Sequence, residues 1–289
     1  MDVHETIESF RLTLDRERAA GRHVGLVPTM GYLHDGHLSL MRAAAASCDV
    51  VAVTIFVNPL QFGTNEDLDD YPRDLARDLS LCETVGVNHV LTPSVEEMYP
   101  EPMMTAVTVD ELARTMEGAS RPTHFAGVAT VVAKLFNITG PCRAFFGEKD
   151  YQQLVIVRRM AKDLSAPVEV AGCPILRELD GVAMSSRNVY LTPAQREAAP
   201  VLHRALQAGA AAVLAGETDP DAVRNLMAAI VQAEPEAELD YAEVVQADSL
   251  ARPASGLQPD TELRLLIAAR LGVPRLLDNL AVRVPRNGA

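Results

Sequence analysis

Five short apolar runs alternate with four segments of helical period across the first 175 residues, and this alternation restricts the fold more than any single motif. The runs "HVGLVPT" (23–29), "VVAVTIFV" (50–57), "NHVLTP" (88–93), "CRAFFG" (142–147) and "PVEVAG" (167–172) read as buried strands. Helices are expected at about 37–47, 74–85, 127–137 and 151–164, the last with Leu154, Val155, Val157, Met160 and Ala161 along its apolar side. A strand that alternates with a helix returns parallel to its predecessor by a right-handed crossover, so residues 1–175 are expected to form a doubly wound, Rossmann-like α/β domain. After about residue 176 the order changes. Ala-rich helical segments at 193–215 and 219–233, separated by "GETDP", precede the strand-like "LDYAEVVQ", "ELRLLIAARL" and "RLLDNLAV", so residues 176–289 are expected to form a smaller α+β domain.

Doubly wound sheets bind ligands beyond the carboxyl ends of their strands, where loops enter helix N-termini. The stretch "VPTMGYLHDGHLSLMRAA" occupies that place after the first of the five runs. Gly31 permits a backbone conformation closed to other residues, Gly36 permits close approach, and the helix end adds free N–H groups and a positive dipole end that favour an anion. His34 and His37 add ring donors. The stretch is neither a Walker loop nor a dinucleotide fingerprint, and a zinc pair is disfavoured because zincins space their histidines four apart around a Glu on one helix. The same residues also suit a capped turn with incidental histidines, and the local stretch leaves that alternative open.

With 39 acidic and 26 basic residues the net charge is −13, so the chain lacks the broad positive field that draws proteins to nucleic acid or anionic lipid. Cys48, Cys82, Cys142 and Cys173 are far apart and form no Cys-x-x-Cys pair, and are expected as buried free thiols of a reducing compartment. The N-terminal residues have no signal-peptide apolar core and no run reaches membrane-spanning length, so a cytoplasmic protein is expected.

The H-x-G-H arrangement after a first strand resembles the "HIGH" signature of the nucleotidylyltransferase superfamily, and "DGVAMSSRN" (180–188) resembles its second, Ser-rich signature. Closer still, "TIFVNPLQFGTNEDLDDYPRDL", "RPTHFAGVATVVAKLFN", "FFGEKDYQQL" and "ARLGVPRLLDNLAV" resemble the pantoate-beta-alanine ligase family of coenzyme A biosynthesis over nearly the whole chain. That resemblance implies ATP-dependent condensation of pantoate with beta-alanine through a pantoyl adenylate, with magnesium accompanying ATP, no protein ligand assigned to the metal, and a homodimer. It places Met30, Gly31, Tyr32, Leu33, His34, Asp35, Gly36, His37, Gly147, Glu148, Lys149, Asp150, Leu176, Met184, Ser185, Ser186 and Arg187 at the nucleotide. His34, His37, Lys149 and Arg187 are the implied catalytic residues, with His37 the usual proton donor, Lys149 at the α-phosphate and Ser186 and Arg187 toward the outer phosphates. Gln61 and Gln153 fall to pantoate, with Phe62 and the "GVATVV" segment beside its methyl groups, and Asn58 with Gln61 falls to beta-alanine. The acidic stretch from Asn65 to Asp74 is implied to be a lid. The first motif carries Tyr32 and Asp35 where the family often has Ala and Glu, a change that removes no implied donor.

Two other classes remain to be weighed. An adenylyltransferase acting on a phosphorylated acceptor would need extra basic residues where this chain has glutamines, and a silent nucleotide sensor would have no use for both histidines, Lys149 and the Ser-Ser-Arg loop together. A tRNA synthetase is disfavoured by a short acidic chain with no recognisable RNA-binding appendage.

Overall fold

A computed structural model of the chain describes residues 1–63 and 68–286. It contains two compact units, one of residues 1–148 and 152–174 and one of residues 149–151 and 175–289. In chain order the first carries β1 (Asp2–His4), α1 (Ile7–Ala19), β2 (Val24–Thr29), α2 (Asp35–Ser47), β3 (Val50–Ile55), α3 (Leu75–Thr84), β4 (His89–Leu91), α4 (Val95–Met98), α5 (Glu117–Ser120), α6 (His124–Thr139), β5 (Cys142–Gly147), most of α7 (Tyr151–Asp163) and β6 (Val168–Cys173).

The six strands form one parallel sheet in the order β1-β4-β3-β2-β5-β6. The chain therefore winds outward from β2 in both directions, and the order reverses between β2 and β5, where a doubly wound sheet leaves its ligand crevice. Tight packing holds α2 beside that crevice. A Cβ on Gly25 of β2 would lie 3.1 Å from Cys48 Sγ and 3.2 Å from the Ala44 methyl, so any larger residue there would push α2 outward by a few tenths of an ångström. Along the other side of α2, Leu38, Met41 and Ala44 join Val27, Val51, Val53 and Val90 in one apolar cluster.

Several expectations require correction. β1 and α1 were not anticipated, because β1 has three residues and α1 is largely charged, with Phe10 and Leu14 its only fully buried side chains. Strand β4 keeps only His89–Leu91 of the expected 88–93, and α6 begins at His124 rather than 127. Cys82 and Cys173 are buried free thiols, but Cys48 and Cys142 are only partly covered.

The second unit carries α8 (Pro193–Ala198), α9 (Val201–Leu214), α10 (Pro220–Gln232) and the antiparallel strands β7 (Glu238–Gln246), β8 (Glu262–Arg270) and β9 (Arg275–Arg283) in the order β7-β8-β9. The single helix expected over 193–215 is two, because Pro200 lacks the N–H that would continue α8 and serves instead as the N-cap of α9. Leu202, Leu206 and Val213 of α9 and Val223, Met227 and Val231 of α10 form one core with Val244, Leu265 and Ile267 of the sheet. Among the described residues, no helix is long and apolar enough to cross a membrane.

Leu206 is fully buried in that core. Leu206→Ala is expected to cost about 2–5 kcal/mol. Urea unfolding followed by circular dichroism measures the loss, and the variant's remaining folded fraction is expected to keep wild-type turnover.

Candidate functional site

The loop that leaves β2 is shaped by one buried carboxylate. Asp78 of α3, only 1% exposed, accepts the backbone N–H groups of Tyr32 and Leu33, each at 2.7 Å. These bonds hold two successive residues in the left-handed region, Gly31 at φ +83° and Tyr32 at φ +48°. A Cβ on Gly31 would lie 2.9 Å from Asp78 Oδ2, so glycine answers both the conformation and the close approach. Arg77 closes the loop from outside by donating to Leu33 O at 2.9 Å, with its guanidinium 5.3 Å from the centre of the Tyr32 ring. Burial pushes the Asp78 carboxyl above its ordinary pKa, against the opposing effects of the two N–H donors and Arg77.

The loop delivers His34 as the N-cap of α2, and the two histidines form a capping box. Gly36 N–H donates to His34 Nδ1 at 3.1 Å, and His34 N–H donates to His37 Nδ1 at 3.3 Å. An imidazole nitrogen that accepts carries no proton, so both rings are held as the tautomer with hydrogen on Nε2. Their centroids are 4.1 Å apart. Protonation of either ring would break a cap and place a cation beside the positive end of the helix. Helix capping and donor presentation are therefore the same arrangement, and the two readings left open by the sequence are not exclusive.

Behind the crevice, a short 3-10 turn at Pro59–Gln61 follows β3. Burial pushes the Tyr99 hydroxyl up to about 12, so it is a donor, and it donates to Asn58 Oδ1 at 2.8 Å. With its oxygen so fixed, the 1%-exposed Asn58 directs Nδ2 to Gly127 O at 3.2 Å and to Gln61 Oε1 at 3.1 Å. Gln61 in turn directs its NH2 group to Met30 Sδ at 3.0 Å, and a thioether is a weak acceptor. The Gln61 carbonyl faces His124 Nδ1 at 3.0 Å and accepts from Arg121 Nη2 at 3.4 Å. Since a carbonyl can only accept, His124 carries its proton on Nδ1, and its Nε2 faces Arg121 Nη1 at 3.3 Å. Helix α6 touches this turn through Gly127, where a Cβ would stand 2.2 Å from Leu60 O and 2.6 Å from Gln61 Cα.

The two glutamines of "YQQL" differ in what their amides do. Gln152 accepts Glu117 N–H at 3.0 Å and donates to Leu112 O and Thr115 O, so it braces the preceding segment. Gln153 is half-buried and makes no side-chain hydrogen bond among the described residues. Strand β5 ends at Gly147, and Glu148 begins a 3-10 turn that runs to Asp150.

Within the second unit, Lys149 Nζ lies 3.4 Å from Asp150 Oδ1, and Lys149 O accepts from Asn279 Nδ2 at 2.8 Å. Asn279 Oδ1 accepts from Arg264 Nη1 at 3.0 Å, and the Arg264 guanidinium stacks 3.7 Å from the centre of the Tyr151 ring. Arg177 grips the buried Asp278 carboxylate with two bonds, 2.6 and 2.9 Å, and also donates to Gly181 O. That clamp holds a turn whose ends pair at Arg177 and Ala183. Leu176 and Met184 flank the turn, and Met184 N–H donates to Leu176 O at 3.0 Å. Ser185 then caps a 3-10 turn over Ser186–Tyr190 by accepting Arg187 N–H at 3.3 Å.

Within the first unit the structure thus gathers Met30 through His37 at one loop and joins Asn58, Gln61 and Met30 by hydrogen bonds. Sequence reasoning gave no role to Asp78, Tyr99, Arg121 or His124. The last two stood in the quoted "RPTHFAG", whereas nothing local to Asp78 or Tyr99 marks a partner more than forty positions away in sequence. Of the expected lid, Asn65, Glu66 and Asp67 lie outside the described residues, and Arg73 ties the following turn by donating to the carbonyls of Leu68, Asp69 and Tyr71.

A family model described as pantoate-beta-alanine ligase matches residues 2–281. The pantothenate synthetase of Roseiflexus castenholzii is 54% identical over 280 residues, 96% of this chain and 98% of that protein. That of Heliobacterium modesticaldum is 51% identical over 281 residues, 96% of this chain and 99% of that protein. Among solved structures, pantothenate synthetase from Thermus thermophilus superposes with a TM-score of 0.91 at 47% identity, covering 99% of this chain and 100% of the other. A pantoate-beta-alanine ligase from Francisella tularensis, complexed with beta-gamma ATP and beta-alanine, gives 0.78 at 31% identity over 97% of each chain.

Asp78→Asn keeps the shape of the side chain but turns one acceptor oxygen into an NH2 group facing a backbone N–H. The expected cost is about 1–3 kcal/mol of stability, read as a lowered thermal midpoint, together with weakened nucleotide binding by calorimetry as the loop loses its conformation. A variant with wild-type nucleotide affinity would separate the loop from the ligand site.

Proposed function

The chain belongs to the pantoate-beta-alanine ligase family, and from that premise we propose how its own residues carry the reaction. It is an ATP-dependent ligase joining pantoate to beta-alanine. The observations that support the reading are the two histidines whose Nδ1 atoms accept backbone N–H groups at the N-terminus of α2, and a Gln61 amide that Asn58 orients and that reaches Met30 of the same loop.

In the first step the pantoate carboxylate attacks the α-phosphorus of ATP, forming pantoyl adenylate and releasing pyrophosphate. Negative charge accumulates on the α-phosphate and on the departing pyrophosphate, and fixed N–H donors and cations stabilise it without reorganisation. His34 and His37 supply Nε2–H donors and the free amides of the α2 N-terminus supply more, while Lys149, Ser185, Ser186 and Arg187 serve the phosphates. Met30 through His37, Gly147, Glu148, Asp150, Leu176 and Met184 form the remainder of the proposed nucleotide contacts. Magnesium enters as MgATP, coordinated chiefly by phosphate oxygens and water, as is usual for that ion.

Gln61 and Gln153 orient pantoate with uncharged donors, which leave the nucleophilic carboxylate unpaired with any cation. In the second step the beta-alanine amine attacks the acyl carbon, and AMP leaves with the electron pair of the broken acyl–phosphate bond. Both amide hydrogens of Asn58 are already spent on Gly127 O and Gln61 Oε1, so its part toward beta-alanine is exerted by orienting Gln61. A homodimer in the cytoplasm completes the proposal and rests on the family alone.

Exchange of labelled pyrophosphate into ATP, with pantoate present and no amine, is the decisive experiment. Pantoate-dependent exchange is the expected result, and exchange without any acid would sink the adenylate mechanism. Lys149→Ala is expected to lower kcat by roughly 10² or more, the scale for losing one preorganised donor; a fall held to tenfold would make Lys149 peripheral. For Gln153→Ala, kcat/KM for pantoate should drop about tenfold to a hundredfold while calorimetric ATP affinity holds, and the reverse pattern would move Gln153 to the nucleotide.

A further inference from the structure

At the edge of the sheet, two buried imidazoles face a carboxylate, each with one ring nitrogen left without a hydrogen bond. Asp2 and His4 lie on the same face of β1, and Asp2 is the register partner of His89 on β4, so all three side chains emerge on one side of the β1/β4 pair. His4 and His89 are 7% and 5% exposed, and Asp2 reaches solvent at 72% side-chain exposure. One ligand atom from each of Asp2, His4 and His89 falls within 4.8 Å of the other two.

The outer nitrogen of His4 has a hydrogen-bonding partner, and that of His89 faces a carboxylate. His4 Nδ1 lies 2.9 Å from Ser9 Oγ, and His89 Nε2 lies 3.4 Å from Glu17 Oε1, both partners coming from α1. The inner nitrogens, His4 Nε2 and His89 Nδ1, are buried and have no hydrogen-bond partner. His89 Nδ1 stands 3.4 Å from Asp2 Oδ2 without forming an aligned bond. Leaving two ring nitrogens buried and unsatisfied costs free energy that a ligand on them would recover. A hydroxyl and a carboxylate on the outer nitrogens are what fix histidine tautomers around a bound metal, with the lone pairs turned inward.

We propose that Asp2, His4 and His89 form a binding site for a divalent transition metal of the zinc class, with Glu17 and Ser9 orienting the two imidazoles. Two imidazoles and one carboxylate match the donors that zinc takes, and the exposed Asp2 side leaves a fourth position for water. Metal–ligand distances near 2.0–2.2 Å require the three groups to draw together by a modest adjustment, which the exposed Asp2 side chain can supply. Because β1 contributes only three residues to the sheet, the ion would clamp the N-terminal strand to β4. Its role is structural and separate from the ligase reaction.

The test uses the full-length, metal-free protein without an affinity tag. Zinc affinity is measured by competition with a chromophoric chelator, and cobalt(II) reports coordination through its visible spectrum. One equivalent of tetrahedral cobalt without thiolate charge-transfer bands is expected, and free zinc at about one hundred times Kd should raise the thermal midpoint by roughly 5–10 °C. Asp2→Asn, at a solvent-exposed position that leaves the core intact, should weaken zinc binding at least tenfold with pantoate ligation unchanged. Glu17→Gln should weaken it about ten- to a hundredfold, and His89→Leu should abolish it. Zinc affinity unaltered in both Asp2→Asn and His89→Leu, or a thermal midpoint indifferent to zinc, overturns the proposal.

Discussion

The carboxylate of Asp78 is the point on which the loop between β2 and α2 turns. Its two bonds to the N–H groups of Tyr32 and Leu33 are the main offset to the strain of a tyrosine at positive φ, with Arg77 and Thr29 adding support from either side. The bonds come from α3, an element separated from the loop by a helix, a strand and a turn, so the loop exists only once the sheet has brought α3 alongside. Local sequence fixes what the loop can be; a distant carboxylate fixes what it is. Everything downstream inherits that geometry, including the angle at which α2 starts and the direction of both histidine rings.

The histidine pair shows how a structural and a chemical role can share the same atoms. Each Nδ1 satisfies a backbone N–H at the first turn of α2, and each Nε2 is thereby committed to being a donor. The ring centroids stand 4.1 Å apart at the N-terminus of α2, so one short stretch of chain sets the orientation of both. For a reaction that places new negative charge on phosphate oxygens, fixed donors of this type are useful because they need not move when the charge appears.

Much of this was legible in the sequence, for reasons that differ by element. The apolar runs at β2 and β3 are central strands buried almost throughout and so stand out as continuous hydrophobic stretches, while β5 and the edge strand β6 are less covered but keep runs of apolar residues. β1 and α1 escaped notice because an edge strand of three residues and a charged helix bury too little to leave a pattern. The break at Pro200 was written in the sequence and was overridden by the run of alanines around it. At the site, residues adjacent in sequence, from Met30 to His37, could be grouped directly. The distant partners could not: Asp78 fixes that loop by two hydrogen bonds, Tyr99 and His124 hold Asn58 and Gln61, and no periodicity encodes a bond between two separate positions.

The absence of a side chain at Gly127 has a consequence for substrate range. With α6 backbone pressed against the backbone of the Leu60–Gln61 turn, and the Gln61 backbone carbonyl facing His124 at the start of α6 and accepting from Arg121 just before it, Gln61 is tied to the seat of that helix. If Gln61 meets the acid as proposed, one bulkier than pantoate that needed the amide to retreat would press on a sixteen-residue, largely buried helix. Discrimination against larger acids would then come from stiffness, a property of the scaffold, and not from any group that touches the acid. Relaxing it would call for loosening the seat of α6, since exchanging the glutamine alone would leave the wall where it stands.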